Sequence, residues 1–273
     1  MREQPGPYDN VAVGTMLLTL VDPHRGHEAE YNRWYERDHF YAGCMIGAGW
    51  FAGKRWVATR DLKDLRLPAD PAPGEGFLPG HERDGSYLAT YWVEKGNDAE
   101  AIAWGSTQVR WLHDNDRMFD HRDHGHTLMY VHRWSVERSA DGVPTALALD
   151  HPWGGLAVLT VDRAADDPPR EFSAWLADEA LPAGLSAGGP IAKVAGFTPI
   201  PLPEGAPVTQ PENPGHDKRL VLLAFLDESP DDAWPAVRDL VEGLDATGRA
   251  TVSWAAPFRP TVPGTDRYTD QLW

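Results

Sequence analysis

The sequence predicts an α+β fold built from two tandem βαββαβ repeats, on three observations. The first is an internal repeat, because residues 171–184 align without a gap to residues 30–43 at an offset of 141. The second is that both halves present predicted strands and helices in the same order. The third is the length of 273 residues, which suits one large unit or two small ones.

The internal repeat rests on identical pairs of residues. In the aligned segment these pairs are Glu30/Glu171, Trp34/Trp175, Ala42/Ala183 and Gly43/Gly184. Upstream, Leu18-Thr19 matches Leu159-Thr160 at the same offset. Chance produces a few identities, but it is less able to reproduce the order of the elements as well.

The elements of each half follow from the hydrophobic pattern. In the first half they are strand 11–21, a helix over residues 30–43, strand 50–59, a Pro/Gly-rich excursion 65–86, strand 87–93, a helix after Asn97-Asp98-Ala99, and strand 127–136. In the second half they are strand 156–161, a helix over residues 171–184, strand 191–198, an excursion 199–217, strand 220–226, a helix after Asp231-Asp232-Ala233, and strand 250–255. Excursions of this length are typical of lids or of covers for sheet edges.

The expected units are a first repeat at 8–138, which we take as the active half, a second repeat at 153–257, and a C-terminal tail at 258–273. The linker around 139–152 is punctuated by Gly142, Pro144 and Pro152.

Composition excludes several classes of function. With 41 acidic against 25 basic residues, the net charge of −16 argues against binding to nucleic acid, which needs clustered cations. No segment approaches the ~20 apolar residues of a membrane span, and residues 1–7 lack the pattern of a signal peptide. We therefore expect a cytoplasmic protein that acts on small molecules. The frequent use of Ala, Arg, Asp, Gly and Pro is typical of a GC-rich bacterial genome, and the tandem repeat predicts a monomeric pseudo-dimer or a homodimer.

The first helix carries an aromatic stripe that ends in two polar residues. Tyr31, Trp34, Tyr35, Asp38 and His39 recur at helical spacing and so share one face. An imidazole beside a carboxylate and aromatic rings can have its pKa moved across neutrality, which suits a general acid or base. The alternative is a histidine at a helix end that is favoured by the helix dipole.

The segment from Tyr31 to His39 resembles the helix motif of the dimeric α/β-barrel superfamily, especially its EthD-like branch, which reads aromatic-x-x-Trp-Tyr-x-x-x-His. The resemblance implies that two ferredoxin-like units pack their sheets into a barrel, here within one chain. The second half departs from the motif, because Ala180 stands at the position of His39. Any chemistry of this histidine would thus belong to the first half alone.

Further candidates lie near the last strand of the first half. In His121-Arg-Asp-His124-Gly-His126 the spacing matches no metal motif, and we expect no metal. His126 and Tyr130 are expected to line the substrate pocket. Cys44, the single cysteine, is expected to be a small buried apolar residue.

These residues lead to three hypotheses. The first is a cofactor-independent lyase, isomerase or cyclase, in which His39 moves a proton on a cyclic or aromatic carbonyl compound and Asp38 orients it. Substrate binding is assigned to Tyr31, Trp34, Tyr35, His126 and Tyr130. The second hypothesis, which the resemblance implies, is a haem-dependent enzyme or a cofactor-free oxygenase, and the third is a non-catalytic binder. We expect no cofactor, with haem as the alternative.

Overall fold

Eight antiparallel strands close into one barrel in the computed structural model, which describes residues 11–69, 84–200 and 217–273. The strands are β1 (Val13–Pro23), β2 (Trp50–Val57), β3 (Tyr87–Glu94), β4 (Arg122–Glu137), β5 (Gly155–Arg163), β6 (Ile191–Pro199), β7 (Arg219–Leu226) and β8 (Ala250–Pro260). Around the barrel they follow the order β1-β3-β2-β8-β5-β7-β6-β4. The halves join where β2 pairs with β8 and β4 pairs with β6. The predicted fold class, two βαββαβ repeats that form a barrel within one chain, is confirmed.

The helices lie outside the barrel. They are α1 (Glu28–Trp34), α2 (Arg60–Asp64), α3 (Asp98–Asp114), α4 (Pro169–Trp175), α5 (Leu181–Gly184) and α6 (Pro230–Ala246). α1 continues into two π-helical turns, Tyr35–His39 and Tyr41–Met45, and α4 continues into one, Leu176–Ala180. The first π-helical turns of the two halves start at Tyr35 and Leu176, which are separated by the same offset of 141. The sequence alignment of the two helices is therefore also a structural equivalence. Among the described residues, no helix is long and apolar enough to cross a membrane.

Alternation along the strands separates the barrel interior from two outer faces. Large apolar side chains fill the interior, among them Trp56, Trp92, Trp254, Phe197 and Phe225. Each buries roughly 150–250 Å² of surface, so this layer supplies much of the hydrophobic stabilisation. The outer face of each half-sheet packs against that half's own helices.

The first strands of the two halves are equivalent at an offset of 140 rather than 141. A β-bulge interrupts the pairing between Leu20 and Val21 in β1, and another does so between Thr160 and Val161 in β5. At the offset of 141, Leu18 lies in the barrel interior whereas Leu159 faces the helices. A slip of one residue exchanges the two faces of a strand, so this sequence match is not a structural one.

The second helices of the two halves are packed differently. α6 begins at Pro230, before the predicted start after Asp231-Asp232-Ala233, and the Ser229 hydroxyl caps the helix by accepting a hydrogen bond from the Asp232 backbone. Seven of its residues are buried, whereas α3, of equal length, buries only Ala101 and Leu112. The outer face of the first half-sheet is therefore less completely covered.

The predicted unit boundaries stay a prediction. Most of the two Pro-rich excursions, residues 70–83 and 201–216, lies outside the described residues, so their expected role as lids does too.

Candidate active site in the first repeat

The helix stripe places His39 between two packed surfaces. Its ring stacks on Trp34 at a centroid distance of 4.5 Å and an angle of 18°, and it meets the edge of Tyr35 at 5.2 Å. On the other side lies Gly43, where a Cβ atom would come within 3.1 Å of the imidazole. The ring is thus held by Trp34 and Tyr35, and the absence of a side chain at Gly43 makes room for it.

The surroundings of His39 favour the neutral form of its imidazole. Its Nδ1 is buried and has no hydrogen-bond partner among the described residues. Burial, followed by the neighbouring Arg122 cation and His124, lowers the pKa of His39 to about 3, against an opposing effect of Asp38. Near neutral pH one ring nitrogen of His39 therefore carries a lone pair, and the only N–H proton that the ring can donate is the one on its other nitrogen.

Asp38 pairs with Arg117 rather than with His39. The Arg117 Nε atom lies 3.3 Å from Oδ2 of Asp38, and a second guanidinium nitrogen contacts Oδ1. Both side chains are about one-third exposed. Asp38 thus acts on His39 only through its charge, and its proposed orienting role finds no hydrogen bond here.

Tyr31 and Tyr35 lie beneath the helix against the sheet. The hydroxyl of Tyr91 donates a 2.9 Å hydrogen bond to that of Tyr35, and burial raises the pKa of Tyr31 to about 12. The Arg55 guanidinium lies 4.5 Å from the centroid of the Tyr35 ring and donates to Asn32 and Glu36 of the helix segment. These residues anchor the helix that carries His39, and neither phenol ionises near neutral pH.

A chain of polar side chains, which the sequence analysis did not single out as a site, crosses from β4 to β1 near His39. Arg122 Nε donates to His124 Nε2 at 3.0 Å, and His124 Nδ1 lies 3.2 Å from the Thr127 hydroxyl, which lies 2.9 Å from that of Thr19. An arginine can only donate, so His124 must accept at Nε2 and carry its proton on Nδ1. We call Arg122, His124, Thr127 and Thr19 the polar chain.

The second half has apolar residues at the equivalent positions. Strand pairing aligns Arg122, His124, Thr127 and Thr19 with Ala250, Val252, Ala255 and Leu159. All four of these residues pack in the apolar core beneath the second half's helices. Together with Ala180 in place of His39, this means that only the first repeat presents polar groups on its outer face at these positions.

The outer face near the polar chain is partly open. Leu17 on β1, Ile200 after β6 and Phe119 before β4 are only partly buried, although all pack against this face. Ala157, the equivalent of Leu17, is completely buried. We call this region, between β1, β4 and the helix stripe, the first-repeat cleft.

His126 and Tyr130 do not line this cleft. Both side chains point into the barrel, where His126 Nε2 lies 2.7 Å from the Tyr130 hydroxyl. The bulge in the β1–β4 pairing lies between His124 and His126 and turns them to opposite sides of the sheet. The structure therefore brings together Tyr31, Trp34, Tyr35 and His39, leaves Asp38 at the edge, and separates His126 and Tyr130 from them. Cys44 is buried, and burial raises the pKa of its thiol to about 12.

Three solved structures share this architecture. An anthrone oxidase-like protein is 10% identical, with 93% of this chain and 95% of that chain covered and a TM-score of 0.50. A structure that carries the name chlorite dismutase is 11% identical, with 96% and 100% covered and a TM-score of 0.52. A DypB variant from Rhodococcus jostii RHA1 in complex with haem is 9% identical, with both chains fully covered and a TM-score of 0.50. The chain has the dimeric α/β-barrel fold. No family model and no curated protein matches it.

The expectation of no cofactor is corrected by this comparison. A protein with the same fold is in complex with haem. Haem was the stated alternative, and it is the group against which the site has to be tested.

Proposed function

We propose that the protein is an oxidoreductase that oxidises a small aromatic compound in the first-repeat cleft, with haem ligated by His39. The observation that carries the proposal is a neutral, unpartnered imidazole in an aromatic wall, present in one repeat and replaced by Ala180 in the other. The anthrone oxidase-like protein and the haem-bound DypB variant are consistent with oxidation chemistry on this fold.

The residues of the cleft fit a haem ligand in their chemistry. Iron requires an unprotonated ring nitrogen, and His39 is neutral far below pH 7. Nδ1 is buried without a hydrogen-bond partner, so iron would have to bind through Nε2, which has no hydrogen bond among the described residues. His124 is less suited, because Arg122 and Thr127 already engage its two nitrogens. When bound, haem would supply one-electron and oxygen chemistry.

The chain's own residues hold and shield the reactants. Trp34 stacks on His39 and also on Phe119, at 5.6 Å, so an aromatic wall excludes water from one side of the imidazole. The Trp34 indole donates a 2.9 Å hydrogen bond to the backbone carbonyl of Arg117, which fixes the wall in place. Leu17 and Ile200 offer apolar contact to an aromatic ring.

The hypothesis of an acid–base lyase, isomerase or cyclase has weaker support. A catalytic acid or base works best with a pKa near the working pH, and the pKa of His39 at about 3 lies far from it. Membership of the EthD-like branch is a further proposal, which rests on the helix motif. We also propose the unit boundaries 8–138, 153–257 and 258–273, a bacterial source, a cytoplasmic location, and a monomeric or homodimeric state.

The proposal is tested by titrating the purified protein with hemin and recording the visible spectrum. We expect the wild type to bind hemin with a strong Soret band, and His39→Ala to bind at least tenfold more weakly. His113→Ala is the matched control, because it removes an exposed histidine at the end of α3. A wild-type protein that binds no hemin, or a His39→Ala variant that binds it equally well, would overturn the proposal.

A further inference from the structure

Arg122 is a partly buried cation without an ionic partner. Among the described residues no carboxylate lies within ion-pair distance of it, whereas the buried cations Arg55, Lys193 and Arg219 each have one. Asp120 acts on Arg122 only from a greater distance. Burial of a charge is costly unless an opposite charge compensates for it. In a chain with a net charge of −16, leaving this cation unpaired beside the cleft requires an explanation.

The guanidinium of Arg122 is held in one orientation with donors to spare. Nε donates to His124, one terminal nitrogen donates to the Phe119 carbonyl, and the group lies 4.9 Å from the centroid of the Trp34 ring. Arginine has five N–H donors in a planar fork, and these contacts use two of them. The remaining donors are available on the residue that already influences the pKa of His39.

We propose that Arg122 binds an anionic oxygen, a carboxylate or a phenolate, of the ligand in the first-repeat cleft, and that His124 positions the Arg122 side chain. This inference rests on the proposed function in that it needs a ligand in this cleft. It adds the ligand's chemical class, an aromatic anion rather than a neutral hydrocarbon. The second repeat has Ala250 and Val252 at these two positions, so the described part of that repeat has no arginine–histidine pair there.

His124 acts on Arg122 and not on the ligand. Its Nε2 lone pair accepts from Nε of Arg122, and its Nδ1 proton is directed to Thr127, so both nitrogens are occupied. This bond holds Nε of the guanidinium, and Nη2, which has no hydrogen-bond partner among the described residues, is the atom that we assign to the anion. A valine, which the second repeat carries at the equivalent position, would remove the acceptor.

The test compares a charged probe with its neutral isostere. Quenching of tryptophan fluorescence gives the Kd of 2-naphthoate and of 2-naphthamide, with no need for haem or turnover. We expect the wild type to bind 2-naphthoate at least tenfold more tightly than 2-naphthamide, as a charge-assisted hydrogen bond allows. Arg122→Gln should abolish the preference, and Arg122→Lys should keep part of it, because lysine keeps the charge but loses the fork.

Two further variants separate position from charge. Arg133→Gln removes an equal charge from an exposed position on the same strand and should keep the full preference. His124→Val should reduce the preference about threefold or more, and His124→Gln, which retains an acceptor, should restore part of it. Circular dichroism of each variant establishes that it is folded.

The carboxylate can come from the substrate or from haem, and a second pair of probes distinguishes the two. Hemin and hemin dimethyl ester differ only in their carboxylates, so an ester penalty that disappears in Arg122→Gln assigns the anion to haem. Equal binding of both members of each pair by the wild type would overturn the inference, as would a preference that survives in Arg122→Gln. Hemin binding without any dependence on its carboxylates, and with no preference for 2-naphthoate, leaves the proposed function standing and removes the inference. A preference for 2-naphthoate without hemin binding supports the inference and overturns the proposed haem ligation.

Discussion

Replacing Gly43 by alanine perturbs the packing of His39 with little change to the fold. The added Cβ would lie 3.1 Å from Cε1 and 3.3 Å from Nδ1 of the imidazole. Carbon atoms pack best at about 3.5–4.0 Å, so the ring must move by roughly 0.4–0.9 Å. Trp34 stacks on the opposite face and resists this movement. A functional ligand tolerates about 0.5 Å of displacement, so we expect hemin affinity to fall about three- to thirtyfold.

The stability of the same variant should change little. Removing a glycine from a helical segment stabilises a protein by about 0.5–1 kcal/mol, and the displaced ring offsets this gain. The matched control is Gly105→Ala on α3, where a Cβ would make an ordinary 3.6 Å contact with Trp50. Gly105→Ala should gain about 0.5–1 kcal/mol in urea unfolding and bind hemin like the wild type. Normal hemin binding by Gly43→Ala, or an equal loss of affinity in Gly105→Ala, would contradict a role for the orientation of His39.

Three further predictions concern charge, hydrogen bonding and burial. Because burial lowers the folded-state pKa of His39 to about 3, the folded protein binds fewer protons than the unfolded chain, and stability falls as the pH drops from about 6.5 toward 3. Between pH 7 and 4.5 the free energy of unfolding should therefore fall less in His39→Gln than in the wild type. The difference should be at most about 2.7 kcal/mol, and smaller because the ring is partly exposed. Equal losses of the two proteins in urea unfolding would contradict this. Tyr35→Phe should lower the free energy of unfolding by about 1–3 kcal/mol, because it leaves the buried Tyr91 hydroxyl without its 2.9 Å partner. The double variant Tyr35→Phe/Tyr91→Phe should recover part of that cost. Strictly additive effects of the two substitutions in the double-mutant cycle would contradict this. In the C-terminal segment Leu272→Ala should cost about 2–5 kcal/mol, since Leu272 is completely buried. Asp266→Asn, which removes only an exposed ion pair with Arg33, should cost much less, and thermal unfolding that ranks the two variants the other way disproves this.

The helix that carries the site could be predicted from sequence because its period is strong. The spacing of Tyr31, Trp34, Tyr35 and His39 defines one face, and the structure packs that face against the sheet. The π-helical turn at residues 35–39 leaves no comparable signal. It recurs at Leu176–Ala180 in the half without the histidine, so it belongs to the fold rather than to the function.

The faces of the first and last strands could not be predicted, because β-bulges shift their alternation. A regular β4 would put His124 and His126 on one face, but the bulge separates them. The polar chain could not be predicted either, because its four members come from two strands that pair only in the folded protein. One signal was available: His124 and Thr127 align with Val252 and Ala255, once the halves are compared strand by strand.

Roles that depend on partners also lay beyond the sequence. Asp38 is adjacent to His39 in the chain, yet its carboxylate pairs with Arg117 from the loop after α3. The pKa of His39 is set by burial and by Arg122, a residue distant in sequence. Spacing identified the residue, but packing determined its protonation state.

The protonation state of His39 tests the central claim most directly. Nitrogen-15 NMR of the histidine-labelled protein, with the His39 signals assigned by comparison with His39→Gln, reports the charge of the ring at pH 5. We expect His39 to be neutral there, because burial holds its pKa at about 3. A charged His39 imidazole at pH 5, or a titration midpoint near the ~6.5 of an unperturbed histidine, would contradict it.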